Sequence, residues 1–197
     1  MKQRGFTLVE VLVALTIFAL MSVLGYRGLT AVLEARAHVE DDNRRWREIA
    51  LTLDLFEQDL GAVVARPVRD AGDLVQAAFV GDPLAIGDTA APLVFSRTGS
   101  AWQTGVPADA QRHGYRLRAG TLEQLVWPVL DQAPHSMPAV HPLIDGVERF
   151  ELRYLDATGT WQPRWPVPGV QTALPAAVEV TVELRDAGRL TRVVALP

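Results

Sequence analysis

The chain opens with an almost unbroken run of apolar residues that follows a short basic segment. The apolar run covers residues 6–25, and Lys2 and Arg4 precede it. A helix of roughly 20 apolar residues is long enough to cross a hydrocarbon core of ~30 Å. Because cations flank the near end and are scarce just beyond the far end, the pattern predicts a single membrane-spanning helix with a cytoplasmic N-terminus.

The helical pattern continues beyond the apolar run. No proline occurs before Pro67, so one helix is predicted from Phe6 to about Arg66. Toward its end, apolar residues recur every three or four positions and predict a face that packs against a sheet. The members of this apolar stripe are Trp46, Ile49, Leu53, Phe56, Leu60, Val63 and Val64.

After Pro67 the pattern changes to short β-type segments separated by Gly, Pro and Asp. Strands are predicted at 93–95, 115–118, 122–127, 147–155, 177–184 and 190–196, with hairpin turns at 119–120 and 186–188. In the segment 147–155, Val147, Arg149, Glu151 and Arg153 are predicted to face one way, and Phe150, Leu152 and Tyr154 the other. The predicted fold class is α+β: a long N-terminal helix, half transmembrane and half amphipathic, packed against an antiparallel β-sheet domain.

Glu10 is the one acidic residue inside the apolar run. A carboxylate at membrane depth requires a cation, and no basic residue within the run supplies one. If the chain were cut between Gly5 and Phe6, the new α-ammonium at Phe6 would lie about one helical turn away. Glu10 and a free amine at Phe6, of the same chain or of a neighbour, would then explain each other. The alternative is a Glu10 tolerated near the membrane interface.

Composition excludes several classes of function. The net charge is −4 and cysteine is absent, so the chain has no broad basic surface, no disulfide and no thiolate metal site. The arginines at 44–47 adjoin acidic residues, which argues against a nucleic-acid patch. Among the remaining candidates for chemistry, His135 and His141 are predicted to be loop residues and the four aspartates solvated turn residues. None of the candidates shows ligand or triad spacing. They are His38, His113, His135, His141, Ser136, Asp70, Asp73, Asp82 and Asp88.

An ordinary signal peptide is the main alternative for the N-terminus. It requires a small-x-small cleavage site soon after the apolar run. Residues 35–37, Ala-Arg-Ala, are the nearest match, but they lie past Arg27 and Glu34 within the helical pattern. A retained helix is therefore predicted, and a secreted binding domain or enzyme is the corresponding alternative function.

Residues 4–10, Arg-Gly-Phe-Thr-Leu-Val-Glu, resemble the signal of type IV pilins and of the pseudopilins of type II secretion systems. The resemblance implies that a prepilin peptidase cuts after Gly5 and methylates Phe6, and that Glu10 assists filament assembly. Removal of residues 1–5 takes away Lys2 and Arg4 and changes the net charge from −4 to −6.

Several later segments resemble the minor pseudopilin J family, general secretion pathway protein J. These segments are residues 26–29, 66–70, 143–147, 153–155, 161–168 and 174–179. The resemblance implies a non-enzymatic, cofactor-free subunit of the pseudopilus tip complex, which primes pseudopilus assembly and supports export of folded proteins across the outer membrane. The implied partners are the minor pseudopilins I and K, with H and the major pseudopilin G as further candidates. A minor type IV pilin for adhesion, motility or DNA uptake is the alternative.

The resemblance and the patterns together predict four segments. Residues 1–5 are a leader, 6–25 a transmembrane helix, 26–66 its periplasmic continuation, and 67–197 a periplasmic β-rich domain. The predicted location is the bacterial inner membrane, crossed once, with the C-terminal domain in the periplasm.

Overall fold

Among the described residues, one long helix comes first and the strands follow it. The computed structural model describes residues 7–69, 72, 74–85, 89–99, 110–131, 136–169 and 173–197. The chain forms two compact units, residues 1–47 and 48–197, which are called the N-terminal unit and the distal unit below.

Helix α1 spans Leu8–Gly61. By length and composition it can cross a membrane. Its apolar part contains hydroxyl side chains that satisfy their own hydrogen bonds, since Thr16 and Ser22 each donate to the carbonyl four residues earlier at 2.8 Å. Farther along the N-terminal unit, Arg36 pairs with Glu40 and Arg44 pairs with Asp41, and all four side chains are exposed.

The helix ends at Gly61 rather than at the predicted Arg66. The cause lies in the next residues, which leave the helix to pair with a strand of the distal unit. Val63 forms a β-bridge with Arg97, and the Val64 amide donates to the Ser96 carbonyl at 2.9 Å. This segment therefore pairs with the sheet instead of extending the helix.

The strands form three antiparallel sheets within the described residues. In chain order they are β1 Val68–Arg69, β2 Val75–Gln76, β3 Phe79–Gly81, β4 Leu93–Arg97, β5 Gln111–Arg118, β6 Thr121–Val126, β7 Ala139–Asp145, β8 Val147–Leu155, β9 Trp161–Gln162, β10 Ala177–Leu184 and β11 Gly188–Ala195. One sheet has the order β3-β4-β5-β6-β7, another β11-β10-β8-β9, and β1 pairs with β2 alone. The α+β fold is confirmed, with the predicted sheet divided into two larger ones.

The predicted hairpins are present where the sequence placed them. Ala119 and Gly120 both have positive φ, 51° and 83°, which is the two-residue turn that suits the twist of β5 and β6. Gly188, with φ 72°, closes the turn between β10 and β11.

The core lies between α1 and the two larger sheets of the distal unit. Ile49, Phe56 and Leu60 are buried as predicted. Trp46 is not, because it lies before the distal unit begins at Glu48 and is 55% exposed.

The prediction that Val147 faces away from Phe150, Leu152 and Tyr154 is also wrong. Phe150, Leu152 and Tyr154 face the core, but Val147 is buried with them. A register shift opposite Glu183 and Leu184 makes Glu148 an extra residue in β8, so the alternation restarts there.

Candidate assembly site and buried polar cluster

The first turn of α1 is held by a reciprocal pair of residues, Thr7 and Glu10. The Thr7 amide and hydroxyl donate to Glu10 Oε2 at 3.0 and 2.9 Å, and the Glu10 amide donates to Thr7 Oγ1 at 3.3 Å. This arrangement is a capping box, which satisfies amide groups that a helix start leaves without partners. The spacing Thr-x-x-Glu is the sequence signal for this capping box. Within the described residues, Glu10 Oε2 accepts two hydrogen bonds and Oε1 accepts none.

The predicted peptidase site adjoins this capping box. Gly5 and Phe6 lie outside the described residues, so the structure gives no geometry for them. The same holds for Asp70, Asp73, Asp88 and His135.

The distal part of α1 contacts the sheets mainly through aromatic and aliphatic side chains. The Phe56 ring stacks on Tyr115 with 4.0 Å between ring centroids and lies 5.8 Å from Phe150. One helical residue thus contacts β5 of one sheet and β8 of the other. This contact makes the end of α1 part of the distal core.

A buried polar cluster lies beside this aromatic contact and centres on Asp59. The Asp59 side chain is fully buried, and its Oδ1 pairs with the Arg97 guanidinium. Oδ2 accepts from the Tyr115 hydroxyl at 2.6 Å and the Gln124 amide at 2.7 Å, and lies 3.1 Å from His113 Nδ1. Four side chains from the adjacent strands β4, β5 and β6 therefore meet one carboxylate of α1.

The cluster favours an ionised Asp59. Burial opposes the charge, but the hydrogen bonds from His113 and Tyr115 and the charge of Arg97 outweigh it and lower the carboxyl pKa. For Tyr115, burial, the Asp59 charge and the hydrogen bond to Asp59 raise the hydroxyl pKa well above its usual value. The pair Asp59–Arg97 is thus an ion pair inside the core.

This polar cluster was missed at the level of sequence. Asp59 follows Phe56 by three positions and so lies near the predicted apolar face, which was the available indication. The strand residues gave no indication, because β5 is buried on both faces from Gln111 to Arg116 although most of these residues are polar.

Arg112 of β5 is a further buried cation. Arg112 Nη1 donates to the carbonyls of Ala77 and Ala78 at 3.0 and 2.8 Å and to Ser96 Oγ at 3.3 Å. Burial lowers the pKa of its guanidinium to about 10. These contacts join β5 to the segment before β3, so Arg112 stabilises the fold.

The described residues hold no cluster of metal-ligating side chains. They contain no group of three or more His, Cys, Asp or Glu that could hold a metal ion. A cleft of about 440 Å³ lies beside β8, with mostly apolar walls. Its charged lining residues are Glu151 and Arg153, and Arg153 is paired with Glu179 at 2.6 Å.

Two protein-family models match the chain. Residues 27–196 match the model described as "Type II secretion system (T2SS), protein J", and residues 1–26 match "Prokaryotic N-terminal methylation motif".

Relatives of known name match over most of their length. The type II secretion system protein J of Klebsiella pneumoniae is 33% identical over 193 residues, which cover 97% of this chain and 93% of the relative. The protein of the same name from Vibrio cholerae is 30% identical over 192 residues, covering 96% and 85%. Among solved structures, a chain of the GspK-GspI-GspJ complex of the enterotoxigenic Escherichia coli type 2 secretion system has a TM-score of 0.64 and 27% identity. That match covers 77% of this chain and 97% of the solved chain.

Proposed function

Because the chain belongs to the family of type II secretion system protein J, we propose that it works in the tip complex of a periplasmic pseudopilus with the minor pseudopilins I and K. Its function is that of a minor pseudopilin in type II secretion. The observation that supports the tip complex is the match to a chain solved together with such partners, in the GspK-GspI-GspJ complex. In that complex the protein would prime pseudopilus assembly and support export of folded proteins.

The family also bears on location and on enzymatic activity. The family is one of secretion-system pseudopilins rather than a known enzyme family, and α1 anchors the chain in the inner membrane. We propose that the chain has no catalytic activity, that its N-terminus is cytoplasmic and that the distal unit lies in the periplasm. The basic residues Lys2 and Arg4 before the span support this orientation.

The proposed maturation removes residues 1–5. A prepilin peptidase would cut between Gly5 and Phe6 and methylate the new amine of Phe6, leaving 6–25 as the membrane helix. The N-terminal methylation model over residues 1–26 supports this proposal. The following segments would be the periplasmic helix to residue 66 and the β-rich domain 67–197, although the last turn of α1 ends at Gly61.

The proposed role of Glu10 is to pair with the α-ammonium at Phe6, of its own chain or of a neighbouring subunit. Glu10 Oε2 already accepts two hydrogen bonds from Thr7, which fixes the carboxylate at the helix start. Oε1 is left to accept from an α-ammonium at Phe6, of this chain or the next. A charge pair at membrane depth is a strong constraint on packing, because an unpaired charge there is costly.

Maturation can be tested by amine labelling, since Lys2 is the only lysine of the chain. The precursor carries amines on Met1 and Lys2, whereas the mature chain carries one, on Phe6. We expect mass spectrometry of membrane-extracted protein to show a mono-methylated peptide starting at Phe6 and no labelled lysine.

The matched variants for this test are Gly5→Val and Gln3→Ala. Gly5→Val should keep the labelled Lys2 and accumulate as precursor, while Gln3→Ala should mature normally. A methylated Phe6 in the Gly5→Val protein would contradict the proposed cleavage site.

The partners can be tested by co-purification from membranes of the native host. Recovery of the minor pseudopilins I and K with the tagged protein, together with loss of exoprotein secretion on deletion, would support the secretion role. Recovery of type IV pilus subunits instead would favour the alternative function in adhesion, motility or DNA uptake.

A further inference from the structure

The two larger sheets of the distal unit end in the edge strands β3, β7, β9 and β11. An edge strand exposes unpaired N–H and C=O groups, and natural proteins usually protect such edges with short strands, prolines or bulges. Strand β7 contains Pro142 and a shift in its register with β6, β3 has three residues, and β9 has two. Strand β11 has none of these features, because its eight residues pair with β10 in one unbroken register. Among the described residues, β11 is therefore the one edge strand that is both long and regular.

The open side of β11 carries free backbone groups. The Leu196 amide donates to the Ala176 carbonyl at 3.0 Å, at the end of the ladder between β10 and β11. Because hydrogen bonds alternate along an antiparallel pair, the even-numbered residues of β11 bond to β10. Arg189, Thr191 and Val193 direct their backbone groups to the open side, and all three residues are exposed. Within the described residues, the amides of Thr191 and Val193 have no hydrogen-bond partner. This edge can accept a further strand.

Side chains on the outer face of the same sheet form a row of alternating charge that ends at this edge. Arg149 of β8, Glu183 of β10 and Arg189 of β11 lie side by side in the strand register. Glu183 Oε2 lies 3.6 Å from Arg149 and 3.7 Å from Arg189, so two cations share one carboxylate. Opposite charges on neighbouring strands stabilise their pairing, whereas like charges oppose it. A carboxylate beside Arg189 would therefore continue the row.

We propose that the open edge of β11 pairs with an acidic extended segment of another protein, which places a carboxylate beside Arg189. A second copy of β11 does not supply this group, because the strand contains Arg189 and Arg192 and no acidic residue. Arg192 lies 3.5 Å from Asp54 and 3.8 Å from Glu57 of α1, so its charge is balanced within the subunit. This inference goes beyond the proposed function and does not depend on it.

The probe for this edge is a fluorescently labelled peptide with the sequence of β10, Ala-Val-Glu-Val-Thr-Val-Glu-Leu. This sequence already complements β11 on its other side, where Glu183 lies opposite Arg189. Fluorescence anisotropy measures its binding to the full chain in detergent. A peptide carrying Glu183→Lys should bind about threefold more weakly, the usual size of a cross-strand charge effect. Absence of binding to the unaltered chain would overturn the proposal.

The matched variants Thr191→Pro and Thr191→Val locate the bound peptide. Both lose the hydroxyl contact with Thr181, but only Thr191→Pro removes the N–H on the open side, and neither removes a hydrogen bond to β10. Thr191→Pro should weaken peptide binding about tenfold, as expected for one lost hydrogen bond. Thr191→Val should bind like the unaltered chain. Equal binding by the two variants would overturn the proposal, since the peptide would then bind elsewhere or displace β10.

A charge exchange tests the acidic character of the partner without a change in the backbone. Arg189→Glu should reverse the preference, so that the peptide carrying Glu183→Lys binds about threefold more tightly than the original peptide. An unchanged preference would overturn the proposal. Analytical ultracentrifugation in detergent tests the remaining occupant, a second copy of the chain. A dimer that Thr191→Pro abolishes and Thr191→Val retains would assign the edge to that second copy and would also overturn the proposal.

Discussion

At the scale of single residues, Glu10 and Asp59 are two carboxylates of one helix in different surroundings. Glu10 accepts from Thr7 alone within the described residues, and one of its oxygens is left over. Asp59 is surrounded by donors of its own chain. Asp59 therefore finds its partners within one subunit, whereas Thr7 is the partner of Glu10 among the described residues.

Substitution of Glu10 should impair assembly rather than membrane insertion. The remaining apolar residues of the span supply enough length to cross a bilayer. Glu10→Leu and Glu10→Gln should both insert and be cut after Gly5, yet both lose the partner of an α-ammonium. The measurement is recovery of partner pseudopilins from membranes with equal amounts of each protein. Unchanged recovery with both variants would show that Glu10 has no role in assembly.

Asp59 should make the distal unit sensitive to acid. Burial opposes its charge, but hydrogen bonds from His113 and Tyr115 lower its pKa below the ordinary 3.8. The unfolded chain thus binds this proton more readily than the folded chain does. The stabilisation is present above about pH 3.8 and is lost as the pH falls toward the folded pKa.

The check is denaturant unfolding in detergent from about pH 6 to about pH 3, the range in which carboxylates titrate. Asp59→Asn should be less stable near pH 6 and should lose less stability on acidification than the unaltered chain. The exposed Asp54→Asn serves as the control and should follow the unaltered chain. Equal acid slopes for Asp59→Asn and the unaltered chain would contradict the prediction.

At the scale of elements, sequence periodicity predicted most of the fold. Strands β8 and β10 have the predicted bounds, and the turn at Gly120 has the predicted position. Two errors lie where tertiary pairing overrides a local pattern, at the end of α1 and at Val147. Trp46 was wrongly placed in the core, and the strands β1, β2, β3, β7 and β9 were not predicted. The buried cluster could not be predicted, because His113 and Gln124 have the polar character of surface residues and acquire partners only when α1 docks.

Within the apolar stripe of α1, the residues from Ile49 onward should contribute to the stability of the distal unit, whereas Trp46 should not. Phe56 is fully buried and stacked on Tyr115, so Phe56→Ala should lower the free energy of unfolding of the distal unit by ~3–5 kcal/mol. Trp46 is exposed, and Trp46→Ala should change it by less than about 0.5 kcal/mol. Thermal and denaturant unfolding of the two variants in detergent gives the comparison. A large loss with Trp46→Ala would place that residue in the core after all.

At the scale of the whole molecule, the end of α1 belongs energetically to the distal unit although it belongs by sequence to the N-terminal helix. The distal unit begins at Glu48, so its boundary cuts through α1. Ile49, Phe56 and Leu60 are its apolar contribution, and Asp59 is its polar one. A boundary drawn where the strands begin would therefore divide one core between two fragments.

Truncation should reveal this dependence. A fragment of residues 48–197 keeps the helical contribution and should unfold in one cooperative transition, whereas a fragment of residues 68–197 should not fold. The three buried apolar side chains of the helix contribute roughly 1.5–3 kcal/mol each, and their sum is comparable to the roughly 5–15 kcal/mol that stabilises a whole domain. Removing them also leaves Arg97 in the core without Asp59, at a further cost. Circular dichroism during heating compares the fragments, and adding a peptide of residues 48–61 to the shorter one should restore structure. A cooperative transition of the shorter fragment by itself would show that the sheets are stable without α1.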